Sequence, residues 1–168
     1  MSRVNVEPGE EHVGAIGGNT ISVDVVPALT VAATYAANDY VGTSGVAMTF
    51  AGCARVNAGT GIIQSAVLVD YALQSIAAEL WLFDTAPTPP ADSAAWSISD
   101  AHAARCIGIV QFSTYFASAL NSVSQAHNLG IAFKSAAGAT ALYGCLVTRG
   151  APAYATGDLT VRLMILQD

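Results

Sequence analysis

Lysine is nearly missing from this chain. It occurs once, as Lys134, and the remaining cations are Arg3, Arg55, Arg105, Arg149 and Arg162. Against 12 acidic residues this leaves a formal net charge of −6 and no basic stripe to follow a phosphate backbone, so no direct contact with nucleic acid is expected. Charge of either sign is scarce, at 11% of residues where about 25% is usual. Long apolar runs are also lacking. Mean hydropathy is +0.48 and hydrophobic residues make up 53%. Yet much of that is alanine, and no run approaches the roughly 18 apolar residues of a membrane-spanning helix. No membrane partner is therefore expected. The opening residues, with Arg3, Glu7, Glu10 and Glu11, offer no apolar core for a secretory signal.

Catalytic and metal-binding patterns are thin. Cys53, Cys106 and Cys145 lie far apart without a CxxC spacing, and an odd count argues against a disulfide framework. They read as small buried hydrophobes of a protein made in a reducing cytoplasm. His12, His102 and His127 form no HxH, HExxH or Cys/His cluster, so neither a metal nor a cofactor is expected. Ser44, in Gly42-Thr43-Ser44-Gly45, lacks the flanking spacing of a nucleophile elbow and reads as a turn. Glu79 is the one carboxylate inside an expected strand with no second acid in matching phase, as a glycoside hydrolase would require. Gly14, Gly17 and Gly18 do not make a dinucleotide fingerprint. The expectation is a protein that is not an enzyme.

What the chain does contain is strand. At 168 residues it is the size of one domain able to bury a core unaided. Residues Gly61 to Asp84 hold two apolar runs rich in β-branched and aromatic residues, each closed by an aspartate, which read as adjacent buried strands at the centre of a two-layer protein. Alternation places Leu80 and Leu82 on one side, Trp81 and Phe83 on the other. Further strands are expected from Ile21 to Val25, Leu29 to Tyr35, Val46 to about Arg55, Ile107 to Phe116, Leu129 to Phe133, Ala141 to Thr148 and Leu159 to Leu166. Residues 119–128 read as a turn region, and Ser99 as the cap of a short helical turn. Pro87, Pro89 and Pro90 mark a surface excursion before Arg105. The fold class that follows is all-β: an antiparallel sandwich, jelly-roll-like in strand count, over residues 19–168, preceded by a flexible N-terminal arm over residues 1–18. Strand order does not follow from the pattern. Low charge without a membrane segment points to surface buried between subunits.

Trp96 stands out because nothing near it in sequence would bury it, which suggests an anchor for a partner. Three segments carry a resemblance: Glu79-Leu80-Trp81-Leu82-Phe83-Asp84, Leu142 through Pro152, and Asp158-Leu159-Thr160-Val161-Arg162-Leu163. Together they resemble a group of small virion proteins of tailed bacteriophages that look like capsid decoration, or cement, proteins. The similarity covers roughly residues 29–168 and leaves the arm out. The resemblance implies β-rich subunits, commonly homotrimers, bound to the outside of the major capsid protein and stabilising the shell. It places the protein on the capsid exterior, with Glu7, Glu10 and Glu11 of the arm and Trp96 of the excursion as candidate docking residues. The alternative is a head-fibre or tail-associated module with a glycan-binding sandwich face.

Overall fold

The computed structural model describes residues 18–29 and 33–168. The expected arm, with Glu7, Glu10 and Glu11, therefore lies outside the described residues except for Gly18. In order, the chain forms β1 (Asn19–Val25), β2 (Ala33–Thr34), β3 (Tyr40–Val41), β4 (Met48–Phe50), β5 (Thr60–Asp70), β6 (Ala78–Phe83), α1 (Asp100–Ala103), β7 (Cys106–Phe112), β8 (Tyr115–Ala117), β9 (Ser122–Ala126), β10 (Ile131–Lys134), β11 (Leu142–Thr148), β12 (Ala153–Tyr154) and β13 (Leu159–Gln167).

Five antiparallel pairings nest inside one another: β1 with β13, β2 with β12, β3 and β4 with β11, β5 with β9, and β6 with β7. This is one long hairpin. It is rolled up so that β13 also pairs with β5 and β11 also pairs with β6. The result is two facing sheets, β1-β13-β5-β9-β8 with β10 also on β5, and β3-β11-β6-β7 with β4 also on β11. An antiparallel all-β sandwich of jelly-roll type is thus the architecture, with strand order now defined.

Period-two alternation explains why these segments are strands. Leu159, Val161, Leu163 and Ile165 of β13 meet Ile63, Ala66 and Leu68 of β5 on the inner side, and Leu80, Leu82, Leu142, Leu146, Val110 and Phe112 come from the opposite sheet. Leu80 and Leu82 do point inward and Trp81 and Phe83 outward, as alternation requires. Ser99 caps α1, its Oγ accepting from the His102 amide at 3.3 Å.

Some expectations are corrected. The two runs within Gly61 to Asp84 are both strands, but β5 and β6 belong to opposite sheets and face each other rather than pair. Of the expected strand over Leu29 to Tyr35, Ala33–Thr34 is strand while Leu29 and Tyr35 are not, and 30–32 lie outside the described residues. The strand expected to run to Arg55 ends at Phe50, where a turn through Gly52 at φ +72° begins. The supposed turn region over 119–128 contains β9, a strand between β5 and β8. Its core-facing positions are Ser122 and Ser124, both buried, so the hydrophobic alternation that marks a strand is inverted. Ser122 is satisfied by Ser75, hydroxyl to hydroxyl at 2.9 Å.

Candidate functional site: two outward faces

The two sheets turn very different faces to the outside. On the second sheet, Trp81 and Phe83 of β6, Tyr143 and Cys145 of β11 and Tyr40 of β3 point away from the core. Left bare, this would be an exposed aromatic face. Residues 84–99 instead fold back across it. The Tyr40 amide donates to Ala94 O at 2.9 Å, the Ser93 amide to Tyr40 O at 3.0 Å and the Trp96 amide to Asn38 O at 2.7 Å, so the excursion is stitched to β3 as a short extra strand would be. Asp92 reaches across and accepts from Tyr35 Oη at 2.8 Å and from the Gly42 amide at 3.3 Å. Pro87 and Pro89 of the excursion are themselves buried.

Trp96 is the centre of this cap. Its ring stacks on Tyr40 with centroids 6.0 Å apart and tilts against Trp81 at 5.6 Å. The partners that half-bury Trp96 come from strands distant in sequence, not from its neighbours along the chain. Burial pushes the Tyr40 phenol well above its ordinary range, and its hydroxyl donates to Val46 O at 2.7 Å.

Beside the cap lies a polar cluster. Arg149 donates to both Glu79 and Asn38, and Trp81 Nε1 donates to Glu79 Oε2 at 3.2 Å. The hydrogen bond from Arg149 is the main reason the Glu79 carboxyl sits below its usual range. A carboxylate held ionised in this way accepts hydrogen bonds and is poorly suited to donate a proton as a general acid. A hollow of about 160 Å³ opens here, lined by Ala77, Ala78, Glu79, Gln111, Phe112, Ser113 and Arg149. Among the described residues no group of three or more His, Cys, Asp or Glu side chains is placed to hold a metal ion. Cys53 and Cys145 are buried, which raises their thiols to about 11 and about 12 and makes them inert rather than nucleophilic.

The first sheet presents the other face. Register fixes its rows across the strands. Phe116, Val123, Val69 and Thr160 form one, Gln125, Val67, Arg162 and Asp24 the next, and Ser65, Met164 and Ser22 a third. Within these three rows charge is confined to Arg162 and Asp24, and Lys134 of β10 lies exposed further along the sheet. Arg162 Nε and Nη2 donate to the two Asp24 oxygens at 2.7 and 2.6 Å, a bidentate pair that lowers the Asp24 carboxyl and neutralises itself. At the end of this face, where β5 closes and β9 begins, Tyr71, Leu73, Phe116 and Leu120 are 49%, 41%, 62% and 79% exposed. Asp70, fully buried, fixes the loop that carries Tyr71 and Leu73 by accepting from the Ala72 and Ser75 amides at 2.9 and 2.7 Å. Leu73 and Ser75 hold left-handed backbone, at φ 56° and 51°, an unfavourable conformation for side-chain-bearing residues that this anchoring maintains.

At the opposite end a cleft of about 550 Å³ is lined by Gly18, Thr60, Gly61, Ile62, Ala132, Phe133, Leu166, Gln167 and Asp168. Of the candidate docking residues, then, Trp96 sits half-buried within the cap, and Glu7, Glu10 and Glu11 lie outside the described residues. Sequence reasoning overlooked the neutral outward rows. Their signal was available, since Val67 and Val69 alternate with inward Ala66 and Leu68, but they read as one more buried run. The chain matches no family model and no curated protein.

Proposed function

We propose that this chain is a structural virion protein, a capsid decoration subunit that works as a homotrimer on the outside of the major capsid protein shell and stabilises it. One observation carries the reading: a jelly-roll sandwich covers the aromatic part of one outward face with its own chain, leaving Ile109 exposed beside it, and carries few charges on the other. A face of that kind is what a subunit built for protein contact needs. The segments that resemble decoration proteins coincide with β6, β11 and β13, which are interior strands of the two sheets. The resemblance therefore belongs to the scaffold, and docking is assigned to what the scaffold displays. Glu7, Glu10 and Glu11 would meet basic capsid surface, and Trp96 would act by holding the shape of the cap that the capsid contacts.

The test is to add purified protein to capsids that lack it and to locate it by cryo-electron microscopy. Density on the outer shell at symmetry axes is the expected result. Removal of residues 2–18 should lower occupancy while leaving the sandwich folded. Absence of binding to any capsid of the particle overturns the reading.

The hollow beside Glu79, with Trp81, Gln111 and Arg149 around it, supports a second reading as a head-fibre or tail-associated module that takes a glycan. Binding on a glycan array that is lost in Glu79→Gln would favour it.

A further inference from the structure

We propose that the outward face of the first sheet is where a second copy of this chain packs, centred on the row Phe116, Val123, Val69 and on the rim formed by Tyr71 and Leu120. The inference rests on the oligomeric part of the reading above and names its surface. Three observations point to a second copy as the occupant.

The first is coverage. Both sheets turn apolar side chains outward, yet only the second has a segment of the described chain folded over it. Phe116 and Leu120 are the most exposed large side chains of the rim, at 62% and 79%. Aromatic and aliphatic groups in that position are what interface centres are made from.

The second is charge. The chain carries −6, so two copies repel unless their contact is neutral. The one ion pair of these rows, Arg162 with Asp24, is satisfied within a single copy at 2.7 and 2.6 Å. A strongly acidic or basic partner would find nothing there to complement. A neutral surface of a second copy matches it without leaving an unpaired charge, which is the condition a buried interface must meet.

The third is size. Five strands spaced about 4.8 Å apart and about seven residues long at about 3.3 Å each give a face of ~24 Å by ~23 Å, roughly 550 Å² in projection. The relief of the side chains and the rim add to this, bringing it near the ~600–800 Å² that each partner contributes to a small specific interface.

The experiment uses the full chain and light scattering with analytical ultracentrifugation across a concentration series. Wild type is expected to be oligomeric at micromolar concentration. Val69→Lys, outward-facing in the middle of the row, should raise the dissociation midpoint at least about tenfold, because it buries a charge without a partner. Val56→Lys, at a position 64% exposed on the turn before β5, should leave it unchanged. Near-ultraviolet circular dichroism and thermal melting establish that each variant is folded. Mixing Val69→Lys with Val69→Glu copies should restore the oligomer, a recovery that misfolding would not allow. A monomeric wild type, or an oligomer that Val69→Lys leaves intact, overturns the inference. Capsid occupancy measured in parallel keeps the two proposals apart. Loss of self-association with intact capsid binding faults only the oligomeric part of the decoration reading, and failure to bind capsids with the oligomer intact faults only the attachment.

Discussion

Replacing Trp96 by alanine removes the keystone of the cap over the second sheet. The indole touches two rings, at 6.0 Å from Tyr40 and 5.6 Å from Trp81. Each aromatic pair is worth about 1 kcal/mol beyond area burial. Withdrawing about half of a tryptophan side chain from water, on the order of 100 Å², adds about 2 kcal/mol as an upper figure. The expected loss is therefore up to about 4 kcal/mol, which for a domain of this size lowers Tm by roughly 8–16 °C. The effect should be local as well as global. The Tyr40 and Ser93 amides, bonded to Ala94 and Tyr40 carbonyls, should lose hydrogen-exchange protection, while the Val161 and Leu163 amides in the first sheet keep theirs. Trp96→Phe should recover a good part of the loss, because a ring still fills the space between Tyr40 and Trp81. Calorimetry and exchange mass spectrometry read both effects. An unchanged Tm with unchanged exchange would refute the reasoning. Capsid attachment weakened at constant stability would instead make Trp96 a contact residue rather than a cap anchor.

Asp70→Ala should be destabilising although it removes no ion pair, because the Ala72 and Ser75 amides lose their acceptor and the left-handed residues Leu73 and Ser75 lose their tether. The expected loss is roughly 1–3 kcal/mol for each amide left unpaired, read from urea unfolding midpoints. Acid should weaken the polar cluster in a defined window. Glu79 is held below its ordinary value of 4.5 in the folded chain, so its contribution is complete above that pH and is lost as pH falls through the lowered folded value. The stability difference between wild type and Glu79→Gln, followed by thermal melting from pH 7 to pH 3, should shrink over that acid range. A difference independent of pH would exclude the ionised pair with Arg149.

The alternation of Leu80 and Leu82 against Trp81 and Phe83 was readable in sequence because side-chain direction in a strand is a local property. So was the Ser99 cap, whose donor lies three residues away. Strand order was not readable, since it depends on pairings such as Asn19 with Gln167 that no local pattern specifies. β9 escaped for a different reason: Ser122 and Ser124 occupy core positions where serines read as turn residues, Ser122 satisfied only by the distant Ser75 and the Ser124 hydroxyl by no hydrogen bond among the described residues. Trp96 suffered the same limitation. Its neighbours in sequence are polar and small, and the rings that half-bury it arrive from β3 and β6. The outward rows were present as apolar alternation in β5 and β13, but whether such a row faces solvent, cap or subunit is decided by what folds across it.

The rolled hairpin has a consequence for how the chain comes into being. β13 is the last described strand to be synthesised, yet it is an interior strand of its sheet, between β1 and β5. Until it emerges, β1 and β5 have no common partner and the inner sides of both remain wet. The outermost pairing, recorded by the bond from Asn19 Nδ2 to Gln167 Oε1 at 3.1 Å, joins residues 148 apart. The innermost, β6 with β7, closes only the excursion and α1 between them. Closing loops in that order favours zippering outward from β6 and β7, with β13 sliding last into a waiting slot. A nascent chain stalled before Leu159 would display two unpaired strand edges, an invitation to intermolecular pairing that the finished sandwich withdraws. Prompt completion of synthesis is therefore part of what keeps so uncharged a protein from aggregating.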